Sequence, residues 1–218
     1  MSEHQRARLA AILAELAADA RAPSAVRDPH AALDVHLADS LTGLEFEAVR
    51  TAASLADLGA GAGFPGLALA VALPGCTVAL VESQARKCAF IERMVGAAAL
   101  ENARVVCARA EEWAEGSGAN DVVVARALAA QPVVLEYAAP LLRLGGALVD
   151  WRGRRDGEEE ASAAIAAAEL GLRLLEIRWV EPYAGARNHH LHVYEKVEET
   201  PARYPRRAGV ARKRPLGC

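Results

Sequence analysis

Along this chain the spacing of apolar positions changes character twice. Residues 3–22 carry Leu9, Ile12, Leu13 and Leu16 at helical intervals, with charges on the other face. That spacing predicts an amphipathic helix ended at Pro23. Asp28-Pro29 reads as an N-cap followed by proline in the first turn, opening a second predicted helix through about Leu44. His36 and Asp39 on that helix read either as a functional pair at a cleft edge or as packed, hydrogen-bonded helix residues. From residue 54 the period shortens. Apolar runs at 54–58, 77–82, 104–107, 121–125 and 147–151 alternate with helical stretches at 65–73, 85–98, about 130–143 and 157–170. Strands alternating with helices predict right-handed βαβ units and a parallel sheet. Two further strand candidates, 172–180 and 189–197, have only Glu181-Pro-Tyr-Ala-Gly-Ala between them, so they are expected to pair as an antiparallel hairpin at the sheet edge. The expected organisation is an N-terminal helical extension (1–50), an α/β domain (51–199) and a basic C-terminal tail (200–218).

The first strand-to-helix junction carries the clearest chemistry. It reads Ser54-Leu-Ala-Asp-Leu-Gly-Ala-Gly-Ala-Gly-Phe-Pro-Gly66, with glycine at 59, 61, 63 and 66. Strand, glycine turn and helix together point backbone N–H groups at a polar or anionic ligand group. Gly61-x-Gly63-x-x-Gly66 fits a dinucleotide fingerprint, and Asp57-x-Gly59-x-Gly61-x-Gly63 fits the nucleoside-cradling loop of S-adenosylmethionine (SAM) enzymes. A glycine-rich turn in an alanine-rich protein is the third reading. Glu82 ends the second strand, where both ligand classes use an acid for the ribose hydroxyls. Later features separate the readings. Ala108-Arg-Ala-Glu-Glu112 offers an acid to an adenine amino group, and Arg126 arrives at the carboxyl end of the fourth strand. Pro140-Leu-Leu-Arg-Leu-Gly-Gly-Ala-Leu-Val149 then supplies helix, Gly-Gly turn and fifth strand. In this order they favour an α/β, Rossmann-like class I SAM-methyltransferase: a seven-stranded, mostly parallel sheet with a terminal antiparallel hairpin, preceded by N-terminal helices.

Composition narrows the setting. Hydrophobic residues make up 53% of the chain, yet no uninterrupted apolar run reaches membrane-spanning length. Glu3, Arg6, Arg8 and Glu15 break any signal-peptide pattern. Cys76, Cys88, Cys107 and Cys218 show no CxxC spacing. A cytoplasmic protein with reduced thiols is expected. His189, His190 and His192 lack a cysteine or acid at ligand spacing, so no metal is expected. Trp113, Trp151 and Trp179 are expected to pack in the core or at its edge. Charge is divided: residues 200–218 hold six Lys and Arg and no acid, so within a net −3 the remainder carries −9. An acidic body with a basic tail suits nucleic-acid contact through the tail.

These residues together resemble the bacterial 16S ribosomal RNA (guanine-N7) methyltransferases, also called RsmG or glucose-inhibited division protein B. The likeness rests on Val26-Arg-Asp-Pro29, His36-Leu-Ala-Asp-Ser-Leu41, Asp57-Leu-Gly-Ala-Gly-Ala-Gly-Phe-Pro-Gly66 and Glu82-Ser-Gln-Ala-Arg-Lys-Cys-Ala-Phe90. It continues through Arg109-Ala-Glu-Glu112, Ala125-Arg-Ala127 and Tyr204-Pro-Arg-Arg-Ala-Gly-Val-Ala-Arg-Lys-Arg-Pro-Leu216. The resemblance implies SAM binding by Gly59 and Phe64 of the loop, whose Gly61 and Gly63 belong to the same motif. It also implies SAM binding by Glu82, Ser83, Gln84, Ala110, Glu111 and Arg126. Arg126 is expected to hold the cofactor carboxylate or orient guanine O6. The implied substrate is a guanine in the 530 loop of the small-subunit decoding site, in free 16S rRNA or in the 30S subunit. The product is then S-adenosylhomocysteine (SAH); no metal, no membrane partner and a monomeric enzyme are expected. Guanine N7 carries no proton, so positioning without an obligatory general base suffices. Arg203, Arg206, Arg207, Arg212, Lys213 and Arg214 are expected to hold RNA phosphates, with Tyr204 offering a stacking ring. Removing 200–218 is then expected to spare SAM and weaken RNA binding. An NAD-dependent oxidoreductase and a non-catalytic RNA-binding or assembly factor are the competing readings.

Overall fold

The structure, a computed structural model, describes residues 1–217. Cys218, counted above with the cysteines and the tail, lies outside the described residues. The first helix, α1 (Glu3–Ala18), is opened by a capping box between Ser2 and Gln5. It ends at Asp19, four residues before Pro23, where Asp19 accepts the Arg21 N–H and pairs with Arg93. The second predicted helix is not continuous. It runs as α2 (Pro29–Ala32), a π-helical turn (Leu33–Ala38), α3 (Asp39–Leu41), a 3-10 turn (Thr42–Glu45) and α4 (Glu47–Arg50). The wider π turn changes which side chains face inward. Here it accompanies the burial of His36, Leu37, Asp39 and Ser40.

The strands are β1 (Ser54–Leu58), β2 (Thr77–Glu82), β3 (Ala103–Cys107), β4 (Asn120–Arg126), β5 (Leu142–Arg152), β6 (Leu172–Trp179) and β7 (His190–Lys196). They form one sheet in the order β3-β2-β1-β4-β5-β7-β6. The first five run parallel, and β7 runs antiparallel to both β5 and β6, so the expected terminal hairpin is present. The helices α5 (Gly66–Ala72), α6 (Ala85–Ala97), α7 (Gln131–Ala138) and α8 (Gly157–Leu170) form the crossovers, and α9 (Val210–Lys213) lies in the tail.

Two cores sandwich the sheet. On one face Leu9, Ile12 and Leu16 of α1 join Leu55, Leu67, Leu69, Ile91 and Met94. On the other, Leu58, Val123, Leu135, Leu148, Leu170 and Tyr194 pack with Tyr204 and Ala211 of the tail. Each end of the chain is therefore tied into a core; burying one such leucine contributes about 1.5–3 kcal/mol. Among the described residues no helix is long and apolar enough to cross a membrane.

Candidate active site

The strand order reverses between β1 and β4, the place where open α/β sheets leave a crevice. Leu58 pairs with Ala125 there, so Gly59 and Arg126 follow side by side at the strand ends. Gly59, Gly61 and Gly63 all have positive φ (66°, 60° and 92°), a conformation L side chains rarely adopt. A Cβ on Gly59 would run into Leu128, whereas one on Gly63 would run into Leu67, so the second glycine serves the packing of loop on helix. Two buried acids tie the loop from within. Asp57 accepts the Gly66 N–H at 2.7 Å on one oxygen; its other oxygen has no partner among the described residues, and burial pushes its pKa up to about 7. Glu82 accepts the N–H groups of Gln84 (2.9 Å) and Gly61 (3.1 Å).

Two clefts open here. The first, of about 420 Å³, is lined by Gly59, Ser83, Gln84, Ala110 and Glu111, together with Leu128, Tyr137 and Arg212. The second, of about 450 Å³, is lined by Asp39, Arg126, Trp151, Arg152, Asn188 and His189. Five of the ten residues named from sequence for the cofactor thus share the first cleft, and Arg126 lines the second. Gly61, Gly63, Phe64 and Glu82 line neither. Phe64 is buried and stacks on His36 with ring centroids 4.8 Å apart.

Arg126 is fixed by three groups from the π turn and α3. It donates to Asp39 Oδ2 at 2.8 Å, to the Val35 carbonyl at 3.2 Å and toward His36 Nδ1 at 3.3 Å. His36 Nε2 lies 2.8 Å from Ser24 Oγ and 3.2 Å from the Val26 carbonyl, which accepts its hydrogen bond, and Nδ1 accepts from Arg126, an arrangement that suits the neutral ring. Burial and then the Arg126 charge hold the His36 pKa below its ordinary value. The other Asp39 oxygen meets His189 Nδ1 at 3.0 Å, and Trp151 Nε1 donates to the Asp39 carbonyl at 3.0 Å. The sequence singles out His36 and Asp39 together, and the structure joins them through Arg126 rather than to each other. His189, considered from sequence only as a metal ligand, instead joins this cluster through Asp39, 150 residues away. Asp57, Leu128 and Tyr137 were not singled out as site residues; Asp57 at least stood in the glycine motif.

The tail is anchored. Buried Glu136 holds Arg206 by two guanidinium nitrogens and by its backbone N–H, with the closest contact at 2.5 Å. Glu169 pairs with Arg203 at 3.1 Å and accepts the Tyr204 hydroxyl. The Tyr204 ring is buried, so it offers no open face for stacking. Gly209 N donates to Glu111 Oε1 at 3.0 Å, and Arg212 donates to the Leu128 carbonyl at 3.1 Å. Arg207, Lys213 and Arg214 are exposed and have no salt bridge among the described residues. No group of three His, Cys, Asp or Glu suited to a metal ion occurs among the described residues. Trp113 and Trp151 are buried, while Trp179 is exposed at the end of the edge strand.

A family model described as GidB, rRNA small subunit methyltransferase G, matches residues 5–184. Ribosomal RNA small subunit methyltransferase G of Rubrobacter xylanophilus is 40% identical over 196 residues, covering 87% of this chain and 75% of that protein. Its namesake in Syntrophomonas wolfei is 39% identical over 186 residues, covering 84% and 86%. Among solved structures, a SAM-dependent methyltransferase from Aquifex aeolicus superimposes with a TM-score of 0.59 at 16% identity, covering 78% of this chain and 94% of that one. A variant of the 16S rRNA (adenine(1408)-N(1))-methyltransferase from Catenulisporales acidiphilia, with cosubstrate SAM, gives 0.57 at 18% identity, covering 71% and 90%. At those identities the structural likeness speaks to the fold alone.

Proposed function

We propose, from the premise that this chain belongs to the rRNA small subunit methyltransferase G family, that it transfers the SAM methyl group to N7 of a guanine in the decoding-site region of 16S rRNA. Membership makes it an rRNA methyltransferase. The observation that carries the finer reading is the pair of clefts at the adjoining ends of β1 and β4, one with the bare backbone of Gly59 in its wall and the other lined by charged and aromatic side chains.

The first cleft fits SAM. A Cβ on its Gly59 wall would meet the Leu128 side chain, and Glu111 lines the cleft as an acceptor for the adenine amino group. In this reading Gly59, Ser83 and Gln84 border the ribose, with Gly61 and Gly63 shaping the loop around it. Glu82 is held by Gly61 and Gln84 with lone pairs left for the ribose hydroxyls. Ala110 and Glu111 take the adenine edge. When bound, SAM supplies an electrophilic methyl group on a sulfonium.

The chain's own residues then position and complement charge. N7 of guanine has a lone pair and no proton, so no base is required of the protein. Buried Phe64 stacks on His36 and so packs the glycine loop against the Arg126 clamp. Arg126, clamped to Asp39, orients the guanine or the cofactor carboxylate. Asp39 sets a negative charge beside a base that gains positive charge on methylation. Arg207, Lys213 and Arg214 face outward to hold phosphates, with Arg203, Arg206 and Arg212 on the same tail. The enzyme works in the cytoplasm as a monomer, on free 16S rRNA or the 30S subunit, without a metal or a membrane partner.

The test is incubation with methyl-labelled SAM and, separately, free 16S rRNA or 30S subunits lacking the modification. Label released as 7-methylguanine is the expected outcome, and the better substrate fixes the assembly stage. SAM binding with no label in either RNA would leave the assembly-factor reading instead.

A further inference from the structure

The tail was expected to be an RNA arm independent of the cofactor. Its geometry is different. The Arg212 guanidinium lines the same cleft as Gly59, Ser83 and Glu111. It is steadied by the Leu128 carbonyl at 3.1 Å, and the Tyr137 hydroxyl faces both it and Glu111. The backbone is tied to that rim as well, because Gly209 donates to Glu111 itself at 3.0 Å. Buried Ala211 and the Arg206–Glu136 pair hold the short helix in place.

We infer that Arg212 is a cofactor-binding residue, closing the adenine end of the first cleft as the donor opposite Glu111. This rests on the SAM reading above. An adenine presents both kinds of hydrogen-bonding group along one edge: an amino group that donates and ring nitrogens that accept. Glu111 can satisfy only the amino group. Arg212 carries five N–H donors, of which one is committed to Leu128, so it supplies what the ring nitrogens need. Arg207, Lys213 and Arg214 are exposed like Arg212 but, unlike it, do not line the cleft. One short element therefore serves cofactor and RNA together, and by linkage RNA that steadies the helix also tightens the cofactor site.

The test uses the full chain and two ligands, SAH and 5′-methylthioadenosine, titrated calorimetrically, with the melting temperature of the ligand-free protein as a second readout. Arg212→Ala is expected to weaken both ligands equally, by about tenfold, the loss of one charged hydrogen bond, while the ligand-free melting temperature stays unchanged. Replacing Arg207, Lys213 and Arg214 with Gln is expected to leave SAH affinity intact and reduce rRNA affinity. Unchanged affinity in Arg212→Ala overturns the inference. So does a loss confined to SAH, which would put Arg212 at the amino-acid end. A fall in the ligand-free melting temperature alongside weaker binding would reduce its role to fastening the tail. Equal weakening of SAH by the triple variant would assign the effect to general charge. Wild-type protein that binds neither ligand fails differently, because it removes the SAM reading itself.

Discussion

The two clefts that open at the adjoining ends of β1 and β4 are made of different material. The first sets the bare backbone of Gly59, in a loop tied from within by Asp57 and Glu82, against side chains of Gln84, Glu111, Leu128, Tyr137 and Arg212. The second is side chains drawn from α3, β4, β5 and the β6–β7 connection, with Asp39 and His189 lying 150 residues apart. A wall of backbone has no room for change, because its requirement is a dihedral angle and a missing Cβ. A wall of side chains can lose one member and keep its shape. The glycine wall of the first cleft should therefore respond to mutation all or none, and the side-chain walls by degrees.

The largest effect is expected at Gly59. Gly59→Val adds a Cβ at φ +66 in the path of Leu128, and strain alone costs about 1–3 kcal/mol before the collision is counted. SAH affinity should fall by about a hundredfold or more, measured by calorimetry. A tenfold loss or less would mean the loop adapts, and the contrast between the clefts would disappear. Next comes Arg126→Ala, which strands buried Asp39 beside the base site. It should lower kcat/KM roughly a hundredfold through misplacement and cost about 3 kcal/mol of stability, while SAH still binds. Arg126→Lys should recover stability better than rate, since one ammonium cannot reach Asp39, Val35 and His36 with the geometry of a planar fork.

The same contrast explains what could be read in advance. β1, β2 and the four crossover helices were legible because apolar period and glycine content are local properties of the chain. β5 was expected at 147–151 but begins at Leu142, since Gly145-Gly146 reads as a turn. The strand instead crosses it with a register shift, and Gly145 takes φ +75. The π turn was invisible because nothing local asks for it; His36 and Asp39 acquire Arg126 only after roughly ninety residues of intervening chain have folded. The tail misled for the same reason. Six cations without a nearby acid looked free, but Glu136 on α7 and Glu169 on α8 were waiting for Arg206 and Arg203.

That fastening sets the third prediction. Arg206→Ala leaves the Glu136 carboxylate, 1% exposed, with only a backbone N–H from the tail, so about 2–3 kcal/mol of stability should be lost. The tail should also become sensitive to limited proteolysis. Arg203→Ala, at a pair whose arginine is 64% exposed, should cost less than about 1 kcal/mol. Equal losses at the two sites would mean that burial does not distinguish the anchors.

The smallest effect is a slope in pH. Asp150 is buried and pairs in register with His192, and Arg152, which lines the second cleft, lies 3.7 Å from it. Burial pushes the Asp150 carboxyl up to about 8 and His192 down to about 4. An unfolded aspartate gives up its proton near its model value of 3.8, while the folded one keeps it to about 8. Across that window the native state binds the extra proton, and this group makes stability fall as pH rises. His192 acts oppositely between about 4 and 6.5, where the unfolded chain is the protonated one and stability rises with pH. The two offset each other in acid. Above 6.5 the histidine contribution is complete and only the carboxyl slope remains, with Asp57 adding to it until about 7. The melting temperature should accordingly decline from pH 6.5 to 8, at no more than about 1.4 kcal/mol per pH unit for the one proton of Asp150, and Asp150→Asn should remove most of the decline above pH 7. An unchanged slope in that variant would mean that Asp150 is ionised in the folded protein. Arg152 would then be held by a full charge, and the second cleft would be as rigidly built as the first.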